Sequence, residues 1–360
     1  MTLRLLFPGR LALAAIACVA LLAAPAMAAD EASPDEAPVK VVADQRLAVT
    51  TPAGTGALAL YVSRDWSKPQ PDVTRAVIVI HGRLRNADVY NASAEKALAA
   101  AGEDGKTAIL VVPQFLATVD AKAHDLPAET LRWGVTGWEG GSDAKGPAAI
   151  SSFDALDAIL ARLADRSVFP NLKTVVVAGH SGGGQVVQRY AILAKGEAAL
   201  AAAGIAVRYV VANPSSYAYF SADRPDGKGG FGPFAGAAAC PKYDHWKYGM
   251  HDLPRYAGSA TTQALEQAYI GRDVAYLLGT ADTDPNHPAL DKTCMAKAEG
   301  PYRLARGQDY LQYLRGRHPD GFRQTLRLVQ GVGHDGDRML TSDCGLAALF
   351  DRPGCAPTTP

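Results

Sequence analysis

Val175-Val176-Val177-Ala178-Gly179-His180-Ser181-Gly182-Gly183-Gly184 is the stretch on which the reading of this 360-residue chain turns. A run of β-branched residues favours a buried strand, and this one stops at Gly179-His180-Ser181-Gly182-Gly183, a G-x-S-x-G pattern. Helix-compatible residues follow from Gln185 to Ala194. The order predicts strand, sharp turn and helix, with Ser181 at the tip. Glycines two residues before and after the serine let strand and helix approach where the serine backbone is strained. The Gly182 amide, at the helix start, would then face a reacting carbonyl oxygen with the positive end of the helix dipole behind it. Gly/Ser-rich turns between strand and helix are common, so the rest of the chain has to supply the other parts of a site.

Working outward, short apolar runs suited to buried parallel strands occur at Arg75–Ile80, Ala108–Val112, Val207–Ala212, Asp273–Leu278 and Thr325–Val329, with an alternating strand at Leu58–Val62. Helix formers separate them. Phe153, Leu156, Ile159, Leu160 and Leu163 share one helical face behind Ser151-Ser152, which can cap it, and Ala92–Ala101, Leu311–Arg317 and Met339–Phe350 are further helices. Alternation of this kind predicts an α/β domain with a mostly parallel central sheet and helices on both faces, spanning residues 39–360. Two excursions, near 113–150 and 213–272, leave from the carboxyl ends of strands, where ligand sites form, and are expected to build a cap. They are rich in aromatics. Most of these should pack the cap itself, while Trp138, Tyr217 and Trp246 are candidate substrate contacts and Phe231 is a further aromatic expected to influence substrate choice.

The ends bound the destination. Residues 1–28 carry Arg4 and Arg10, an apolar run from Leu11 to Ala24 and small residues at Ala26-Met27-Ala28, the pattern of a signal peptide. Residues 29–38 are acidic and Pro-containing, an expected disordered lead. Export to the periplasm or beyond is therefore expected, with no membrane span in the mature chain. Cys240, Cys294, Cys344 and Cys355 remain after the signal, an even number for an oxidising compartment. Three pairings are open to them. The preferred one joins Cys344 to Cys355 and Cys240 to Cys294, which flank one strand. Lys plus Arg and Asp plus Glu number 36 each, which leaves no nucleic-acid footprint.

A serine hydroxyl needs a base beside it and an acid behind the base. His334 follows the Thr325–Val329 strand, and Asp282 follows the Asp273–Leu278 strand by one tight turn. Serine, aspartate, histidine is the chain order of one serine-hydrolase architecture and of neither the chymotrypsin nor the subtilisin one. Asp284 stands before Pro285, which biases it outward, and Asp335 adjoins the histidine, so Asp282 is the expected partner.

From about Thr74 onward the chain resembles the α/β-hydrolase superfamily, and within it secreted serine esterases. The resemblance rests on His81-Gly82-Arg83, Gly179-His180-Ser181-Gly182-Gly183, Gly279-Thr280-Ala281-Asp282 and Gly333-His334-Asp335. It implies an oxyanion hole from the backbone amides of Arg83 and Gly182. Where related lipases continue with glycines, this chain has Arg83-Leu84-Arg85, a departure that bears on the exact donor. The triple glycine and the export signal resemble polyester depolymerases and feruloyl esterases.

The remaining histidines have quieter expected roles. His180 should pack under the turn and His81 brace the oxyanion loop, with His124, His245, His251, His287 and His318 solvated or structural. Asp282-Thr283-Asp284-Pro285-Asn286 imitates half a calcium loop, but His287 and Thr293 replace its glycine and glutamate, so no metal and no cofactor is expected. The expected activity is hydrolysis of a small-molecule or polymeric carboxylic ester through an acyl-enzyme. An amidase or peptidase with the same residues, or a non-catalytic binding protein on the same scaffold, is the alternative.

Overall fold

The computed structural model describes residues 1–3, 35–320 and 322–358. The chain divides into two units, Met1–Ser33 and Pro34–Pro360, and the second carries every strand and helix described below. Apart from residues 1–3, the expected signal peptide lies outside the described residues, as do residues 29–34 of the expected disordered lead. Residues 35–38 include contacts to two arginines. Asp35 is buried, its carboxylate meets Arg83 Nη2 at 2.7 Å, and the Ala37 carbonyl accepts from Arg85 Nη2 at 2.8 Å.

Among the described residues ten strands form, β1 (Gln45–Thr51), β2 (Gly54–Val62), β3 (Arg75–Ile80), β4 (Ala108–Gln114), β5 (Thr174–His180), β6 (Ala206–Ala212), β7 (Asp223–Pro225), β8 (Phe231–Pro233), β9 (Asp273–Gly279) and β10 (Thr325–Val329). Eight of them make one sheet in the order β1-β2-β4-β3-β5-β6-β9-β10, and β7 and β8 pair as a small separate hairpin. Only β2 runs antiparallel to its neighbours, β1 and β4, so the sheet is mostly parallel. The strand β1 escaped the sequence reading because it is an edge strand, mostly exposed, and carries little apolar alternation.

Period-two alternation sorts the strand residues between the two sheet faces. Ile78, Ile80, Val175, Val177, Tyr209 and Val211 point to one side, where the helices Ser152–Leu163, Gly182–Leu193 and Arg303–Arg317 cover them. Val77, Val79, Val176, Ala178, Val210 and Ala212 point to the other, under Ala87–Ala100, Gly336–Thr341 and Asp343–Phe350. Each fully buried aliphatic side chain contributes roughly 1.5–3 kcal/mol, so both faces must be covered for the sheet to persist. Ser151 caps its helix by accepting from the Phe153 amide at 3.1 Å. The expected helix from 339 to 350 is two helices. Ser342 breaks it in extended backbone and caps the second, its hydroxyl accepting from the Gly345 amide at 3.0 Å.

The long connections follow the carboxyl ends of β4, β6 and β9, all at the edge where β5 delivers Ser181. A third excursion, residues 280–302, joins the two that the sequence singled out. Disulfides Cys240–Cys294 and Cys344–Cys355 are formed, the first tying the excursion after β6 to the one after β9. Among the described residues no helix is long and apolar enough to cross a membrane.

Candidate active site

The turn after β5 has the strain its glycines imply. Ser181 sits at φ 59°, a conformation that costs a non-glycine residue about 1–3 kcal/mol and is held by its surroundings. A Cβ on Gly179 would stand 2.3 Å from the Gly183 carbonyl oxygen, and one on Gly183 2.1 Å from that of Ile80. Neither position admits a side chain.

Ser181 Oγ lies 2.9 Å from His334 Nε2, and His334 Nδ1 lies 2.9 Å from Asp282 Oδ2. With Nδ1–H donating to the carboxylate, Nε2 is left to accept from the serine hydroxyl. All three side chains are buried or nearly so. Burial holds the His334 imidazole below its ordinary pKa, against the Asp282 hydrogen bond, which raises it. For Asp282 burial pushes upward, but the His334 hydrogen bond and the Arg303 charge outweigh it and the carboxyl stays below its usual range. A neutral base facing a hydroxyl, with an ionised acid behind it, is the arrangement that removes a proton from serine. His334 Nδ1 bonds to neither Asp284 nor Asp335. Asp284 is exposed and accepts from the Asn286 amide at 2.8 Å, while Asp335 caps the next helix through the Arg338 amide at 3.1 Å.

The two residues whose amides are expected to face an oxyanion lie side by side. A Cβ on Gly182 would stand 2.9 Å from Arg83 N, and neither amide donates to any group among the described residues. The unusual Arg83-Leu84-Arg85 sequence has a structural use. Arg85, at φ 58°, is fully buried and grips Asp120 with Nε to Oδ2 at 2.7 Å and Nη2 to Oδ1 at 3.0 Å. Asp120 also accepts from the Val39 and Ala117 amides, at 2.8 and 2.6 Å. This fork fixes the loop that carries Arg83 from inside. His81 braces the same loop, Nδ1 donating to the Gly82 carbonyl at 2.8 Å and Nε2 accepting from the Phe115 amide at 2.9 Å, and burial lowers its pKa to about 4.

His180 packs beneath the turn, its ring 4.6 Å from that of His334 and its Nδ1 3.0 Å from the Tyr90 hydroxyl. Burial drives its pKa well down, so it stays neutral beside His334. His287, expected to be solvated or structural, stands edge-on to His334 with centroids 5.1 Å apart. Sequence reasoning missed Arg303 altogether. It is fully buried, meets Asp282 Oδ1 at 3.3 Å and donates from Nε to Ser215 Oγ at 3.0 Å, so the acid behind His334 is held from both sides. The signal that could have found it is an arginine at the start of an otherwise amphipathic helix, too ordinary a feature to stand out.

Ser181 opens onto a cavity of about 400 Å³. Arg83 and Gly182 lie at its floor beside the serine, with Glu139, Lys247 and Tyr248 from two excursions and Leu290–Thr293 from the third as walls. The aromatic candidates Trp138, Tyr217 and Trp246 are not among the lining residues. Trp138 is fully buried against His81 and Phe115, with Nε1 donating to the Val135 carbonyl at 2.8 Å. Tyr217 is stacked in the core on Tyr310, centroids 4.7 Å apart. Trp246 pins its loop to the neighbouring one through Nε1 to the Gly140 carbonyl at 2.6 Å, and Phe231 packs on Tyr313. The indole protons of Trp138 and Trp246 are both satisfied internally.

No family model matches the sequence, and no curated protein matches it. In three dimensions the chain is similar to poly(aspartic acid) hydrolase-1 from Sphingomonas sp. KT-1, with a TM-score of 0.55 and 23% identity over 84% of this chain and 96% of that one. It is also similar to LpqC, the poly(3-hydroxybutyrate) depolymerase from Bordetella parapertussis, with a TM-score of 0.55 and 20% identity over 82% and 84%. The chain has the α/β-hydrolase fold.

Proposed function

We propose that this protein is a serine hydrolase that cleaves carboxylic esters through an acyl-enzyme. Ser181 attacks the carbonyl, His334 takes the proton and returns it to the leaving alcohol, and Asp282 holds the imidazole and its charge. The amides of Gly182 and Arg83 bind the oxyanion. Water then repeats the sequence on the acyl-enzyme. The observation that carries the reading is the unbroken chain Ser181 Oγ to His334 Nε2 to Asp282 at 2.9 Å per link, beneath an open cavity. A decayed scaffold has no reason to keep a serine in strained backbone. The cavity walls are polar and charged except at Ala289 and Leu290, which suits short or polar acyl groups better than long alkyl chains. Two solved neighbours are named for hydrolysing or depolymerising polymers, and a polymeric ester belongs with small esters among the proposed substrates. Two disulfides accord with an exported protein.

A fluorophosphonate probe should label Ser181, and p-nitrophenyl esters should be cleaved faster than matched p-nitroanilides. Ser181→Ala should lose labelling and roughly 10³- to 10⁶-fold in turnover with folding intact. Labelling of a different serine would overturn the assignment, and faster anilide cleavage would make the protein an amidase.

A further inference from the structure

One pair of charged groups in the cavity wall is left incomplete by the fold. Glu139 is 5% exposed, and its Oε1 has no hydrogen-bond partner among the described residues. That oxygen lies 3.0 Å from the point where a Gly182 Cβ would stand, beside the Gly182 and Arg83 amides. Lys247 Nζ stands 3.6 Å from the other oxygen, Oε2, and donates to the Thr136 carbonyl at 3.0 Å. An ammonium has three protons, so it retains donor capacity toward the cavity. The surroundings hold the pair in place. Arg189 Nη1 donates to the Glu139 carbonyl at 3.0 Å, and Trp246, next to Lys247, is bonded to Gly140, next to Glu139.

Other charges at the cavity already have partners. Arg83 meets Asp35 at 2.7 Å, Lys292 donates to the Asn286 carbonyl at 3.0 Å, and Asp291 accepts from the Tyr248 hydroxyl at 2.7 Å and from the Thr293 amide at 2.9 Å. The lining carries Arg83, Lys247 and Lys292 against Glu139 and Asp291, and Asp35 behind the lining offsets Arg83. A carboxylate brought to the incomplete pair would face Glu139, and an ammonium would face Lys247. An alkyl group would leave Glu139 Oε1 without water or partner and the remaining Lys247 donor capacity unused, the most costly outcome. A hydroxyl both donates and accepts.

Building on the serine-hydrolase reading, we infer that Glu139 and Lys247 form a subsite for a hydroxyl carried by the ester close to its scissile carbonyl. The hydroxyl donates to Glu139 Oε1, and the Lys247 ammonium donates to the hydroxyl oxygen. Both residues determine specificity rather than chemistry. The hydroxyl can belong to the acid, as in a hydroxyacyl ester, or to the alcohol, as in a monoester of a polyol.

Matched substrate pairs test this on the purified protein. The acid-side pair is p-nitrophenyl 3-hydroxybutyrate against p-nitrophenyl butyrate, and the alcohol-side pair is glyceryl monoacetate against propyl acetate. In at least one pair the hydroxylated ester should have the higher kcat/KM by roughly 10- to 100-fold, the size expected of one charge-assisted hydrogen bond. That ratio should fall toward one in Glu139→Met and in Lys247→Met and survive in part in Glu139→Gln. Fluorophosphonate labelling of Ser181 counts the folded sites in each variant, so if one Met variant fails to fold the other decides. A ratio near one for both pairs, in protein that is labelled and cleaves p-nitrophenyl acetate, overturns the subsite and leaves the hydrolase reading standing. A ratio unchanged in the labelled variants overturns it equally, whereas wild type that neither labels nor turns over sinks both.

Discussion

Asp282→Asn is the substitution whose outcome the geometry determines most fully. Both oxygens of Asp282 serve as acceptors, Oδ2 for His334 Nδ1 at 2.9 Å and Oδ1 for Arg303 Nη1 at 3.3 Å. Asparagine offers one acceptor and one amino group, so one of the two donors must face another donor. A hydrogen bond to a charged group contributes about 1.5–3 kcal/mol against 0.5–1.5 for a neutral one. The amide oxygen should therefore turn to the buried guanidinium and the amino group to His334. His334 must then accept at Nδ1 and carry its proton on Nε2, where it can no longer take one from Ser181. We expect kcat/KM for p-nitrophenyl acetate at pH 7.5 to fall by roughly 10² to 10⁴. With one decade per 1.36 kcal/mol, that is about 3–5 kcal/mol of lost transition-state stabilisation. Removing the carboxylate charge also strands Arg303, whose side chain is fully buried, at a stability cost of about 3–5 kcal/mol, visible in a thermal melt. Asp284→Asn should be close to wild type in both assays, since Asp284 is exposed and accepts from the Asn286 amide two residues on. The mechanism makes a sharper demand of the double variant. With Arg303→Met added, the asparagine oxygen is free to face His334, and Asp282→Asn/Arg303→Met should be more active than Asp282→Asn alone. An Asp282→Asn enzyme that retains a tenth of wild-type activity, or a double variant no better than the single one, would refute this reasoning.

Glu299 is fully buried, with Oε2 accepting from the Tyr217 amide at 2.8 Å, and burial pushes its pKa up to about 8. The folded state thus holds a proton that the unfolded state releases near pH 4.5, so the contribution of this group to stability is fullest below 4.5 and declines as pH rises to 8. Glu299→Gln should raise the melting temperature at pH 8 and change it little at pH 4, and an equal shift at both would rule the titration out. The two disulfides close loops of different length, separations of 54 and 11 residues, for which chain entropy gives about 4 and about 3 kcal/mol. Denaturant titration should accordingly show Cys240→Ala costing more than Cys344→Ala, and the reverse order would mean that strain or residual structure outweighs loop length.

The parts of the molecule that were legible in the sequence are those written in local periodicity and local chemistry. Buried parallel strands are continuous apolar runs, so Arg75–Ile80 and Thr174–His180 could be read directly, whereas β1, half polar at an open edge, could not. Gly179 and Gly183 announce a turn because a Cβ there collides with backbone, a constraint that acts within a few residues. Ser181, Asp282 and His334 were legible because each residue sits at the end of its own strand and a parallel sheet brings strand ends to one edge. Burial of side chains from the long excursions is decided differently. Trp138 and Tyr217 look like pocket residues in a list of aromatics, and only the packing of three excursions on one another shows that they are walled in while Glu139, Lys247 and Tyr248 face the cavity. Arg85 and Arg303 make the same point for charge. Their partners, Asp120 and Asp282, lie 35 and 21 residues away, and a buried ion pair leaves no periodic trace in either segment. Local sequence fixes where backbone must bend and which face is apolar, because those forces act between near neighbours along the chain. Which polar groups meet, and which one is left waiting for a partner, depends on distances between remote segments that only the folded chain defines.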